Sequence, residues 1–404
     1  MKKSTNNYPL SSVFTDGLFR FFIFILLFIA LLNEQTNLIL ISILLLAMFY
    51  GTEIWSYYSG RKIHYSFDGE QKKGFPGEQV LLQSTIENNK LLPVWLKLKI
   101  PVDKKLNGYS NSNSGYICEN FSLLWYDQNS WQWKLTSKDR GCFRIGPPFL
   151  ETGDLLGFFK RKKYLSQSVE MIVYPKPISL NIISSPVKEL FGSPGLKSPV
   201  KDPVYPVATQ DYYHGDPAKY IHWKASAKHN KLQSKIFEPS SQQKTLFIID
   251  VSTYRKINHS TFFEKTLEAV AAMSMEFDRR GIAYGIISNG KIYGKNMSSY
   301  LSIATGSAQL SRVMELLARI DMKKDCSIEK ILFQDHKIPS GTGCIYCTYR
   351  VYKKNIQIAQ FLIKHNIPVY FMAATTSRYL NSQSIKYFLL DEVHGGYINL
   401  GKNI

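Results

Sequence analysis

Hydrophobic and polar positions follow three different rules along this chain. The first is continuity. Residues 21–32 read FFIFILLFIALL, and after Asn33-Glu34-Gln35-Thr36-Asn37 a second apolar run, 38–50, is broken only by Ser42. Neither run has the polar face of a soluble core helix. Each is short of the roughly 20 residues that span hydrocarbon. Leu18, Phe19 and Arg20 lengthen the first, and residues 51–58 lengthen the second. Arg20 can snorkel to the headgroups, while Trp55, Tyr57 and Tyr58 form an aromatic belt. The pattern predicts a two-helix transmembrane hairpin over 1–60. A cleaved signal peptide competes with it, since Lys2 and Lys3 make a basic start, but no small-x-small site follows Leu32 and a second run comes at once. Lys2, Lys3, Arg61, Lys62, Lys72 and Lys73 flank the pair and the turn has no Lys or Arg, which predicts both ends on the cytoplasmic side.

The second rule is alternation. From 61 to about 175 the period becomes two, with strands expected at 79–86, 94–100 and 131–135. Asp68-Gly69, Phe75-Pro76-Gly77, Asn88-Asn89 and Asn107-Gly108 punctuate them, and residues 111–115 read as an exposed loop. Short strands at this spacing predict an immunoglobulin-like β-sandwich. Residues 139–159, DRGCFRIGPPFLETGDLLGFF, predict a structural corner. The basic run Lys160-Arg161-Lys162-Lys163 suits solvent or anionic lipid. Residues 176–206 carry prolines and little periodicity and are expected to be an extended connector.

The third rule, from 207 to 404, is strand–helix alternation. Strands are expected at 245–250, 282–288, 343–348 and 367–372, with helices at 262–280, 307–320 and 355–365. Gly281 is expected to stop the first helix. This predicts a doubly wound α/β sheet, whose ligands gather at the carboxyl ends of the strands. Asp250 and Ser252 lie at that edge.

Composition narrows the function. The chain has 404 residues, 45% hydrophobic and 20% charged, which excludes a disordered tail, a collagen-like fibre and a disulfide-stapled miniature. Lys and Arg number 50 against 31 Asp and Glu, a net charge of +19, which favours polyanionic neighbours. The 5 cysteines make an odd, low count that fits a reducing compartment. Cys344 and Cys347 are three apart on a strand and face opposite sides, so they do not predict zinc.

The most unusual stretch is 211–238, DYYHGDPAKYIHWKASAKHNKLQSKIFE. Gly215-Asp216-Pro217 reads as a turn that starts a helix, with Asp216 as its cap. Lys219, Lys224, Lys228, Lys231 and Lys235 form a cationic strip beside Tyr220 and Trp223. The interaction motif is taken as Asp211, Gly215, Asp216, Pro217, Lys219, Ile221, Trp223, Lys224 and Lys228.

With these residues in view, the chain resembles bacterial domain of unknown function family 58. The family's Gly-Asp-Pro-x-Arg-x-Ile-x-Trp-Lys motif stands here as Gly215-Asp216-Pro217-Ala218-Lys219-Tyr220-Ile221-His222-Trp223-Lys224. Lys replaces Arg at 219 and again at 228, which weakens bidentate anion recognition. The resemblance implies a membrane hairpin, a β-sandwich and a von Willebrand A-like domain. It also implies partnership with a MoxR-type AAA+ ATPase. The von Willebrand A-like fold often holds Mg²⁺ in an Asp-x-Ser-x-Ser loop. Asp250 and Ser252 match that loop, but Tyr254 stands in place of the second Ser and 344–350 lacks the later Asp. The site is degenerate and no cofactor is expected, with Mg²⁺ at Asp250 and Ser252 as the alternative.

No Gly-rich phosphate loop, nucleophile elbow or H-E-x-x-H is present. The expected function is therefore a non-enzymatic, membrane-anchored protein-interaction adaptor, bound to membrane lipid and to protein partners and not to nucleic acid. Two alternatives stay open. One is a hydrolase using Asp211, Asp216 and His222. The other is nucleic-acid or anionic-lipid binding through the basic surface.

Overall fold

The computed structural model describes residues 8–9, 13–69, 71–108, 115–153, 159–176, 178, 201–213, 218–239, 244–254, 259–294, 298–332, 338–339, 341–377 and 386–395. The chain divides into two compact units, Met1–Tyr174 and Pro175–Ile404.

The first unit starts with a short strand β1 (Tyr8–Pro9) and two apolar helices, α1 (Val13–Leu32) and α2 (Thr36–Ser59). The helices run antiparallel. Phe19 meets Phe49 at 5.8 Å between ring centroids, and Arg20 pairs with Glu53 at 2.8 Å. Their large apolar side chains are mostly exposed. One helix, Thr36–Ser59, is long and apolar enough to cross a membrane, and Gly17–Leu32 is a shorter apolar helix. The pair is compatible with a membrane anchor.

Strands then follow in quick succession: β2 (Ile63–Phe67), β3 (Gln71–Gly74), β4 (Val80–Asn88), β5 (Val94–Pro101), β6 (Leu106–Asn107), β7 (Tyr116–Leu123), β8 (Gln128–Ser137), β9 (Gly141–Ile145), β10 (Phe149–Gly153), β11 (Lys160–Tyr164) and β12 (Val169–Val173). They form sheets in the orders β1-β11-β10-β5-β7, β2-β4-β8-β6 and β3-β12-β9. Alternation explains their packing. In β5, Val94, Leu96, Leu98 and Ile100 are buried while Trp95 and Lys97 face out. The inward residues of all three sheets share one core, including Leu82, Leu98, Leu135, Leu150 and Met171.

In the second unit β13 (Lys201–Asp211) pairs antiparallel with β14 (Gln233–Pro239), making a ribbon. Its first residues fall inside the stretch expected as a connector. Between the two strands lies a 3₁₀ turn, Ala218–Tyr220, and the helix α3 (Trp223–His229). Next come β15 (Lys244–Ile249), α4 (Ser260–Arg279), β16 (Ala283–Ser288), β17 (Gly290–Ile292), β18 (Tyr300–Ala304), α5 (Ser307–Arg319), β19 (Ile320–Lys324), a helical turn α6 (Ile328–Lys330), β20 (Thr342–Thr348), α7 (Lys353–Lys364), β21 (Val369–Ala373), β22 (Tyr387–Leu389) and α8 (Leu390–His394).

Six of these strands make a mixed sheet, β18-β16-β15-β20-β21-β22. All its pairings are parallel except β16 with β18. β15, β16, β20 and β21 are buried almost throughout, as strands covered on both faces must be. Gly281 ends α4 with φ +69, a left-handed conformation that glycine adopts freely.

Candidate functional site

β15 is central, and the chain leaves it toward β16 on one side and β20 on the other. The crevice at its carboxyl end is where ligands of such sheets bind. Asp250 occupies that point. It is buried, and its backbone N–H donates to the Cys347 carbonyl at 3.1 Å. Oδ1 accepts from the Ser252 backbone N–H at 3.2 Å, from the Ser252 hydroxyl, and from Asn289 Nδ2 at 2.9 Å. Oδ2 accepts from the Tyr346 hydroxyl at 3.1 Å and from Asn355 Nδ2 at 3.0 Å. Every one of these donors is neutral. Burial, and next the Asp250 charge, push the Tyr346 phenol well above its usual range, so it stays a donor.

This geometry brings Asp250 and Ser252 together as the sequence pairs them. Tyr254 is a core residue instead: fully buried, its hydroxyl lies 2.9 Å from Thr266 Oγ1 and its ring packs on Phe263. Sequence reasoning missed Asn289, Tyr346 and Asn355. A Tyr inside the otherwise apolar β20 was the available signal, because a buried phenol needs a partner. A divalent cation needs free carboxylate lone pairs. Here amide N–H groups point at both oxygens, and the donor set does not suit Mg²⁺. Among the described residues, no three His, Cys, Asp or Glu side chains form a metal-binding group. Cys344 and Cys347 are buried free thiols, and burial pushes Cys344 up to about 12.

The second cluster lies on the ribbon. Asp211 ends β13 and accepts from Gln233 Nε2 at 2.5 Å across the strands. Ile221 bridges to Ser234. His222 caps α3, its Nδ1 accepting from the Ala225 backbone N–H at 3.1 Å. Ser226 Oγ donates to the His222 carbonyl at 3.0 Å and accepts from the Gln233 N–H at 2.9 Å, tying helix to strand. Asn230 closes the helix with φ +49. On this support Trp223 is 70% exposed, Tyr213 is 69% exposed, and Lys224, Lys228 and Lys231 are exposed. Lys219 lies in the 3₁₀ turn. Gly215, Asp216 and Pro217, with the cap assigned to Asp216, lie outside the described residues.

Among solved structures, the chain is similar to a beta-glucosidase from Listeria innocua in complex with glucose, at 15% identity and TM-score 0.18 over 27% of this chain and 16% of that one. It is also similar to a type I cohesin–dockerin complex from Clostridium thermocellum, at 11% identity and TM-score 0.20 over 28% of this chain and 99% of that one. These likenesses are too slight to carry any conclusion. The uncharacterized protein YeaD of Bacillus subtilis (strain 168) is 24% identical over 213 residues, 51% of each chain, so the match spans about half the length of that relative. Residues 208–336, which hold both the ribbon motif and the Asp250 crevice, match the family described as "Protein of unknown function DUF58".

Proposed function

We propose that this protein is a membrane-anchored, cytoplasm-facing adaptor that binds protein partners and is not an enzyme. The observation that carries the reading is the display on α3. Trp223 opens a short helix that is capped by His222 and bound to β14 through Ser226, and it is exposed to solvent, as are Lys224 and Lys228 of the same helix. An exposed Trp on a positioned helix that also presents cations has the character of an interface anchor. The order of the six-stranded sheet, with one antiparallel strand at its edge, supports a von Willebrand A-like domain. The alternating strands of the first unit support an immunoglobulin-like sandwich.

Of the groups a hydrolase would use, Asp211 and His222 are already engaged, and so is Asp250. The Asp250 carboxylate takes donors on both oxygens, His222 serves as a cap, and Asp211 is bound to Gln233. We therefore infer that the crevice is a rigid crown needing no cofactor. A MoxR-type AAA+ ATPase is the class of partner the family resemblance implies. The test is co-purification of the full chain with a MoxR-type ATPase of the same cell from detergent extracts. Wild type is expected to retain the ATPase, and Trp223→Ala with Lys224→Glu to lose it at least tenfold. Absence of the ATPase from repeated wild-type preparations would reject the reading.

A further inference from the structure

The end of the β-rich unit that adjoins α2 carries an apolar tip. Strand register places it there. β2 follows α2 directly, and Ile63 pairs with Asn88 at the end of β4. Glu87 pairs with Gln128 at the start of β8, and Val94 with Leu123. Loops 89–93 and 124–127 therefore lie together at this end. The Tyr126 N–H donates to the Lys90 carbonyl at 3.2 Å, and Asn88 Nδ2 donates to the carbonyls of Leu92 at 3.0 Å and Leu124 at 2.6 Å. From these loops Leu91 is 74%, Leu124 52%, Trp125 59% and Tyr126 66% exposed.

The loops are fastened to the end of α2. Lys90 Nζ donates to the carbonyls of Tyr58 at 2.8 Å, Arg61 at 2.7 Å and Ser59. The Asn89 N–H donates to the Lys62 carbonyl at 3.0 Å. Strand β11, which reads KRKKY, runs beside the same helix. Arg161 Nε donates to Ser56 Oγ at 3.3 Å, and Lys163 Nζ donates to the carbonyls of Gly60 and Ile63 at 3.2 Å. Just before that strand, Phe159 packs on Phe49 with centroids 5.2 Å apart.

Depth follows from helix rise. The Arg20–Glu53 pair marks the edge of the apolar run. Ser59 lies six residues beyond it, about 9 Å along the axis, against a headgroup layer of about 5–8 Å. Phe159, at Phe49, sits inward of that edge. The tip, fastened to Tyr58, Ser59, Arg61 and Lys62, therefore starts at the outer edge of the headgroup layer, and its exposed side chains reach the layer from there. Trp, Tyr and Leu with adjoining Lys and Arg suit an interface of anionic lipid.

We infer that loops 89–93 and 124–127 set their exposed Leu, Trp and Tyr side chains into the headgroup layer of the bilayer that holds the hairpin, making a second lipid contact that fixes the orientation of the β-rich unit. This rests on the hairpin being membrane-embedded. The full chain is reconstituted into bilayers of phosphatidylcholine and phosphatidylglycerol with brominated acyl chains, which quench nearby indoles. Trp125→Phe is expected to cut the bromine-quenchable emission by roughly half, with Trp55 in the belt carrying the rest. If Trp125→Phe leaves that emission unchanged while Trp55→Phe lowers it, the tip is out of the lipid and the inference fails with the hairpin standing. If neither substitution lowers it, the hairpin reading fails as well.

Discussion

Two buried side chains, one of each charge, hold structure together by saturating a set of partners. Asp250 receives donors from Ser252, Asn289, Tyr346 and Asn355, so it ties the end of β15 to β16, β20 and α7. Asp250→Asn turns one acceptor oxygen into an amide N–H₂ facing donors. A buried donor left opposite a donor costs about 1–3 kcal/mol, and chemical denaturation of the full chain should show a loss of that size. Lys90 is the converse, an ammonium serving the last carbonyls of α2, where the helix dipole is negative. Burial, and next the charge of Lys163, draw its amine down from 10.5 to about 8. Between these values the unfolded chain holds the proton and the folded chain does not, so unfolding free energy rises with pH across that window. Lys90→Met should flatten the rise and, with carbonyls orphaned, lower stability by about 1–3 kcal/mol at neutral pH. A pH series of unfolding midpoints for both chains checks the sign. A fall in wild-type stability from pH 8 to 10 would contradict it.

At the scale of the element, α3 is too short to persist without its cap and its strand contact. His222→Ala removes the acceptor for the Ala225 N–H and should cost about 0.5–2 kcal/mol locally. Hydrogen exchange at Ala225 and Ser226 should accelerate, while amides of β15 stay protected. His222→Asn should restore most of the protection, because Asn is also a good cap. Capping by His is what the sequence concealed, because Asp, Asn and Ser are the better caps by type and the chain reaches α3 only after a 3₁₀ turn. Elsewhere the large elements were plain. A helix expected at 262–280 is Ser260–Arg279, and a strand expected at 343–348 is Thr342–Thr348, because periodicity and continuous apolarity are local signals. The antiparallel edge strand β18 and the two-stranded β17–β19 sheet went unseen, being short and half-exposed. β13 hid behind Pro203 and Pro206, and its pairing slips register on either side of Pro206. The Asp250 partners were illegible for another reason. They lie 39, 96 and 105 positions away, and only the sheet brings them together.

For the whole molecule, the governing question is which surface meets lipid. Helices α1 and α2 leave Phe22, Phe28, Leu32, Leu40 and Leu44 largely exposed, whereas the strands of the first unit and the second unit bury their apolar side chains in dense cores. Side chains of this size gain about 1.5–3 kcal/mol each on leaving water, so burying a dozen of them in lipid favours the proposed anchor. Full-length protein should therefore stay with vesicles through an alkaline carbonate wash. The flanking charge then sets the side. Arg61 and Lys62 follow α2, β11 adds Lys160 to Lys163 beside that same helix end, and the 33–35 turn carries no Lys or Arg. If the hairpin spans the membrane as proposed, basic residues at one end of both helices are expected to keep that end in the cytoplasm. Protease added to intact spheroplasts should leave residues after 60 uncut, and the same protease should cut them in inverted vesicles. Replacing Lys160, Arg161 and Lys162 by Gln, while introducing three Lys in the 33–35 turn, should shift a measurable fraction of chains to the opposite orientation. If the charge swap leaves protease access unchanged, folding of the β-rich unit on the helix end, through Lys90 and Lys163, holds the orientation instead, and Lys90→Met in the swapped background should release it.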